Sequence, residues 1–270
     1  MANARNPLFN ISRLIDETGG KGVSIETSFS EDLKLCIEKL NTETGKPSIY
    51  YKPSSLTCIR NMYYQRIGAD VDGSNVSPDL VGICESGTDR HLRIQYYVSS
   101  MRSLGIDCDY VSVPEYIAEN HLDDMEVLES KQYETKLFNK KYNLRFLVDG
   151  LIKYKGVYYL LEIKTESSYK WINRGGVDPA HYNQAYTYSL CFNIPRVLFI
   201  YENRDCCTKK YYVMNVTDDN RQSVIDKIET CESYVNTHIT PPKPDNIEKK
   251  TCQYCDYKKL CRSEKNASQT

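Results

Sequence analysis

Phe146-Leu147-Val148-Asp149-Gly150 and Leu161-Glu162-Ile163-Lys164-Thr165 are the two strings on which the reading of this chain turns. Between them runs Leu151-Ile152-Lys153-Tyr154-Lys155-Gly156-Val157-Tyr158-Tyr159-Leu160, apolar and aromatic on both sides of Lys155-Gly156. That pattern predicts a β-hairpin with a two-residue turn at Lys155-Gly156, because glycine accepts the positive φ such turns require. The turn sets the register: Tyr154 opposes Val157, Leu151 opposes Leu160, and Asp149 falls across from Glu162. Opposed residues have Cβ atoms roughly 5 Å apart, and two like charges at that distance destabilise a sheet unless something lies between them. A divalent cation is the natural candidate, since carboxylates suit the hard ions Mg2+ and Mn2+. Strand alternation puts Lys164 on the face of Glu162 and turns Ile163 away. Two carboxylates and an ammonium converge, an arrangement suited to hydrolysing a phosphodiester.

A second signal lies near the C-terminus. Cys252-Gln253-Tyr254-Cys255-Asp256-Tyr257-Lys258-Lys259-Leu260-Cys261 is a C-x2-C-x5-C cluster, preceded by the extended stretch Pro241-Pro242-Lys243-Pro244. Three thiolates leave a tetrahedral metal or a cubane cluster one ligand short. Cys58 is the best fourth, in a stretch where Ser54 or Ser55 can cap a helix ending near Gly68. Four thiolates without histidine suit either a [4Fe–4S] cluster or Zn2+. On spacing alone, a surface zinc knuckle with Cys58 in the core is an equal alternative. The other cysteines (36, 84, 108, 191, 206, 207 and 231) show no ligand spacing.

Composition excludes more than it points to. The chain has 270 residues, 35 basic against 36 acidic, so DNA affinity has to come from local patches. No apolar run is long enough to span a bilayer, and the N-terminus lacks an apolar signal core. Four sequons, starting at Asn10, Asn75, Asn215 and Asn266, then read as chance. Eleven cysteines without an export signal favour a reducing, cytoplasmic setting (the host cytoplasm for a phage-encoded chain) and metal ligation over disulfides.

Taken in order, these motifs resemble the PD-(D/E)XK nuclease superfamily, in particular its RecB-like branch with an iron–sulfur cluster, which includes CRISPR-associated and phage or viral exonucleases. The resemblance spans about residues 54–261 and rests on five elements. They are Ser54-Ser55-Leu56-Thr57-Cys58-Ile59-Arg60; Glu85-Ser86-Gly87-Thr88-Asp89-Arg90-His91; Asp149; Glu162-Ile163-Lys164; and Gln184-Ala185-Tyr186-Thr187-Tyr188 ahead of the cysteine trio. One position departs from the family: Phe146 stands where a glycine is common, which suggests a bulkier neighbour beside the site.

The resemblance implies a restriction-endonuclease-like α/β core with a mixed central sheet flanked by helices. It implies Mg2+ or Mn2+ on His91, Asp149 and Glu162, with Lys164, Gln184 and Tyr188 catalytic and Lys164 orienting the attacking water. It also implies an iron–sulfur centre on Cys58, Cys252, Cys255 and Cys261, and single-stranded DNA or DNA ends as substrate. Recombination or CRISPR-adaptation proteins are the partners it suggests, with no membrane. The runner-up is a non-catalytic DNA-binding or recombination subunit with the same fold, which has no need of Asp149, Glu162 and Lys164. His91 lies in an amphipathic stretch, 88–104, where a packed core histidine is the plainer reading. Glu85 shares its face only if the helix begins after residue 85, since six helical steps turn by about 240°. Asp178-Pro179 predicts a helix start running to about residue 192, on which Gln184 and Tyr188, four apart, share a face. The loop 165–177 carries Trp171 and Arg174, which are able to stack a base and contact phosphate; Trp171 as a simple loop anchor is the equal alternative.

The remaining chain is expected to hold a helical N-terminal extension over 1–50 (helices at 11–18 and 31–40), and a nuclease domain over 51–262 closed by the four cysteines. Within that domain the pattern predicts strands at 131–151, 157–165, 196–201 and 209–216 and a helix at 218–238. Residues 263–270 are expected to form a disordered tail.

Overall fold

The computed structural model describes residues 24–41, 47–72, 77–245, 247 and 249–267. They belong to two units, Met1–Thr44 with Ser74–Glu85, and Gly45–Gly73 with Ser86–Thr270. In the first unit, helix α1 (Ile25–Leu40) is capped by the Ser24 hydroxyl, which accepts from the Thr27 amide. It covers the helix expected at 31–40; the one expected at 11–18 lies outside the described residues.

In the second unit, a short 3-10 turn (Pro53–Thr57) leads into α2 (Ile59–Arg66), and the helix ends before Gly68 at φ 67°. The residue at the N-terminal cap of α2 is Cys58 itself; Ser55 instead bonds back to the Lys52 carbonyl. Helix α3 (Pro78–Ser100) crosses from the first unit into the second, and β1 (Cys108–Tyr110) and α4 (Val113–Glu119) follow. Then come β2 (Met125–Ser130), β3 (Thr135–Asn139), β4 (Leu144–Val148), β5 (Gly150–Tyr154) and β6 (Val157–Glu166). The remaining elements are α5 (Ser168–Ile172), α6 (Tyr182–Phe192), β7 (Arg196–Asn203), β8 (Lys209–Asn215), α7 (Asp218–Thr237), α8 (Lys249–Gln253) and α9 (Lys258–Ala267).

The result is a mixed α/β fold with two sheets. One is five-stranded, in the order β1-β5-β6-β7-β8, parallel only between β6 and β7; the other is an antiparallel β2-β3-β4 sheet. The stretch 131–151, expected to supply one sheet, divides between both. The chain leaves β4 in the small sheet and enters β5 in the large one with Asp149 as the only residue between them. Helix α9 runs five residues into the tail expected to be disordered; 268–270 lie outside the described residues. No helix among the described residues is long and apolar enough to cross a membrane.

The β5–β6 hairpin forms in the expected register, with Tyr154 paired to Val157 and Gly150 to Leu161. Lys155 and Gly156 both adopt positive φ, 48° and 78°, the pairing a tight hairpin of the right twist needs. Period-two alternation then sorts the side chains. Leu160, Val197, Phe199 and Tyr201 join the main core; Leu161, Ile163, Leu198 and Ile200 face a smaller cluster with Ile94 and Val98 of α3.

Helix α3 is held against β7 by charge. Arg90 and Arg93 from α3 and Lys209 from β8 all reach the carboxylate of Glu202, which is fully buried. A buried carboxylate is tolerated only when paired in this way. The two arginines flank His91 and fix how the helix presents it.

The corner at Asp149 is tight. A Cβ added to Gly150 would lie 2.4 Å from the Tyr110 hydroxyl oxygen and 2.8 Å from its Cζ. Overpacking of that kind costs about 1–3 kcal/mol. Gly150→Ala is therefore expected to lower stability to urea by about that amount. In a double-mutant cycle, Tyr110→Ala should make the added methyl nearly neutral; a full penalty in the Tyr110→Ala background would show that the close approach is not the cause.

Candidate metal centre and thiol cluster

Asp149 is gripped from several sides. Its carbonyl accepts from Gln95 Nε2 (2.7 Å) and from the Tyr110 hydroxyl (2.7 Å), which also lies 2.9 Å from the Tyr133 carbonyl. Its carboxylate Oδ2 accepts the Ile163 amide (2.7 Å), and Oδ1 lies 3.2 Å from His91 Nδ1. His91 and Gln95 are four apart on α3, so one helix face delivers both. Glu85 also lies inside α3, which starts at Pro78, and is turned about 240° from His91.

Two hairpins extend to this one residue. Gly150 pairs with Leu161, so the next position sets Asp149 across from Glu162. Thr135 pairs with Val148, so the next position of the other hairpin sets Asp149 across from Glu134. His91, Glu134 and Asp149 each bring one ligand atom to within 4.8 Å of the others. Glu134 was not singled out in the sequence. The signal was present in the 135–148 pairing, but it becomes visible only once β3 and β4 are known to be neighbours. The Lys131 amide bonds to the Glu134 carbonyl (2.8 Å), and Tyr133 packs edge-on against Tyr110 at 5.8 Å, so the turn is held at the corner.

Glu162 and Lys164 point to the same side of β6 and form an ion pair in which both side chains are largely enclosed. Burial pushes the Glu162 carboxyl upward; Lys164 opposes this and the Asp149 charge adds to it. Its Oε2 is buried with no hydrogen-bond partner among the described residues. An anionic oxygen left in that position costs free energy unless a proton or a cation meets it. Burial pulls the Lys164 ammonium down, but the Glu162 and Asp149 charges outweigh it and hold it above its ordinary value. His91 behaves likewise: burial lowers it, and the bond to Asp149 and that charge raise it on balance. The gathered donor set, the Asp149 and Glu134 carboxylates with the His91 imidazole, fits a hard divalent cation; Glu162, expected as a ligand, lies outside that set and is paired with Lys164.

Gln184 and Tyr188 share a face of α6, as the spacing predicts. The Tyr188 hydroxyl donates to the Leu147 carbonyl (2.9 Å), its ring stacks on Phe146 at 5.3 Å, and the Gln184 side chain bonds to it. Burial, then the Glu162 and Asp149 charges, keep that phenol protonated. Trp171 and Arg174 both contact groups of the chain itself. Arg174 bonds Glu166 and Asp178 and lies over the Tyr201 ring at 4.7 Å; Lys210 Nζ lies 4.8 Å over Trp171.

The four cysteines that the resemblance implies as ligands line one cavity of about 90 Å3. The tail packs against α2 through side chains and backbone hydrogen bonds. Tyr257 is buried against Tyr64, and Asp72 bonds Asp256 and Lys259 through its amide and carboxylate (2.6 Å each). Cys58 takes the backbone amides of Asn61 and Arg60; the Asn61 side chain donates to Cys255 (3.5 Å) and Arg60 to Cys261 (3.6 Å). Burial raises the Cys58 and Cys255 thiols, and each also feels its neighbouring thiols. No disulfide forms among the described residues, and no carboxylate lines the cavity. Four thiols with N–H donors aimed at sulfur fit a thiolate-bound metal centre.

No protein-family model and no curated protein matches the chain. Among solved structures it is similar to SSO0001, with 16% identity over 89% of this chain and 98% of that one, at a TM-score of 0.39. It is also similar to an alkaline exonuclease from Laribacter hongkongensis, LHK-Exo, with 12% identity over 71% of this chain and 90% of that one (TM-score 0.42). The complex of LHK-Exo with dAMP gives 14% identity, 70% and 89% coverage and a TM-score of 0.41.

If Glu134 is a ligand, Glu134→Gln should weaken Mn2+ binding by about tenfold or more, read by calorimetry on the otherwise intact chain. Affinity equal to wild type would leave Glu134 as a neighbour of the centre and no more.

Proposed function

We propose that the chain is a divalent-metal-dependent deoxyribonuclease, an exonuclease acting on single-stranded DNA or DNA ends, with a structural [4Fe–4S] cluster. The observation that carries the nuclease reading is the Asp149 corner. Carboxylates oppose it in both hairpins, a lysine adjoins one of them, and the buried Glu162 Oε2 awaits a positive partner.

Asp149, Glu134 and His91, with Glu162, would hold Mg2+ or Mn2+. When bound, such an ion supplies charge against the phosphate and makes a coordinated water more acidic. The chain's own groups do the rest. Gln95, Tyr110 and the Ile163 amide keep the Asp149 carboxylate from turning away. Lys164 stays charged at neutral pH, so it can orient a water and donate to a non-bridging phosphate oxygen. Tyr188, held by Gln184 and anchored to the Leu147 carbonyl, steadies the strand entering the corner; that is a positioning role, since its proton is committed there.

The iron reading rests on the resemblance of Cys58 and the C-x2-C-x5-C trio to the iron–sulfur branch, since four thiolates suit zinc as well. Unpaired thiols also suit the reducing cytoplasm. The cluster would close a loop from the start of the second unit to its end, a crosslink that stabilises largely by restricting the unfolded chain.

The purified chain should degrade a single-stranded oligonucleotide with Mg2+ or Mn2+ and not with EDTA. Asp149→Asn, Glu162→Gln and Lys164→Ala should each slow cleavage by about a hundredfold or more. Near wild-type rates in any two of them would mean that the corner is not the active site.

Anaerobically prepared protein should be brown and contain iron and sulfide. Cys58→Ser should lose the colour and melt at a lower temperature. A colourless chain holding one zinc would overturn the iron assignment, and a Cys58→Ser chain with full metal content would overturn the four-cysteine site.

A further inference from the structure

We propose that a cleft on the outer face of the β2–β4 sheet is the track along which a single DNA strand is led to Asp149. The cleft encloses about 820 Å3 and lies wholly in the second unit. It arises from strand alternation: Leu137, Leu144, Phe146 and Val148 turn inward, so Lys136, Arg145 and Leu147 must turn outward. Lys136 stands opposite Leu147 in the ladder, and the Arg145 guanidinium lies 4.6 Å over the Tyr50 ring. Lys52 and Lys131 add two more cations to the walls.

The charge on this face is unbalanced. Of the two carboxylates that line it, Glu129 lies 3.4 Å from Lys131, and Glu134 belongs to the trio around Asp149. Among the described residues neither Lys52 nor Lys136 has a carboxylate partner. A polyanion supplies what these groups lack.

An apolar surface lies among the cations. Leu147 is 42% exposed between Lys136 and the Tyr50–Arg145 pair. Such a surface offers a base an apolar contact and a guanidinium plane, which only an unpaired base can use. Duplex DNA keeps its base faces inside the helix, so a single strand is the ligand the surface favours.

The cleft is continuous with the candidate active site because Glu134 belongs to both. A strand whose phosphates lie over Lys131 and Lys136 would therefore reach Asp149 next. That last step rests on the nuclease reading of the corner; the binding surface itself does not.

The test is fluorescence anisotropy of a labelled oligothymidylate with the full chain in EDTA, where cleavage is excluded, across a range of salt. Lys52→Gln/Lys136→Gln should weaken binding by about tenfold or more and flatten the log–log salt dependence by about 1.4, the loss of two single-strand phosphate contacts. Lys140→Gln/Lys141→Gln, the same charge change at the far end of the β3–β4 hairpin, should bind nearly as wild type. A blunt duplex of equal length should bind more weakly than the single strand.

Unchanged affinity and slope in the cleft variant would overturn the proposal, as would an equal loss in the control or duplex binding as tight as the strand. A chain that binds through the cleft yet never cleaves with Mn2+ would keep the track and remove the nuclease reading. A chain that cleaves while the cleft variant binds normally would do the reverse.

Discussion

One residue takes part in both sheets of the second unit. Asp149 is the single step between β4 and β5, so the small antiparallel sheet and the large mixed one meet at its backbone. Its carbonyl cannot join a regular ladder there and is met by Gln95 and Tyr110; its carboxylate takes the Ile163 amide where a neighbouring strand's carbonyl would otherwise serve. A buried backbone polar group has to find a partner. The partners it finds come from α3, β1 and β6, so the corner organises three elements at once. Gly150 is required because the Tyr110 ring that satisfies the carbonyl leaves no space for a Cβ.

The same geometry concentrates negative charge. A residue placed between two hairpins has an opposite number in each, and here both are glutamates. Like charges so placed repel, and a low-dielectric setting strengthens the repulsion. Lys164 relieves part of it, and the charges of Glu162 and Asp149 hold its ammonium above its ordinary value; His91 bonds to Asp149. Glu162 nevertheless remains raised, with one oxygen unpartnered among the described residues. The corner is thus costly as a piece of structure, and its groups have the chemistry of a candidate cation site. The surrounding fold bears that cost through the Glu202 network, which locks α3 onto β7, and through the dense aromatic core on the far side of β6.

The thiol cluster stands apart from this chemistry. Its residues lie at the two ends of the second unit, and Tyr257 and Asp72 hold the ends together with hydrogen bonds and packing. The four cysteines line one cavity between those ends. A tail docked by side chains makes sense for a domain whose N-terminal turn and C-terminal helices would otherwise fray.

Much of this was legible in the sequence, and the reason is locality. The turn at Lys155-Gly156 specifies the β5–β6 register without reference to anything distant, and register determines that Asp149 meets Glu162 and that Lys164 shares its face. Helix spacing brought Gln184 to Tyr188, and the motif order, with its family resemblance, grouped Cys58 with the distant trio that lines the same cavity. What the sequence alone could not decide are relations between elements that no local pattern encodes. That the chain changes sheets at Asp149, that β3 and β4 bring Glu134 to the same corner, and that Lys210 comes to lie over Trp171 all follow from packing between elements. Residue identities and short-range geometry determined which groups could do chemistry; only the tertiary structure decided which of them meet, because opposed charges and buried hydrogen bonds are satisfied across elements and not along the chain.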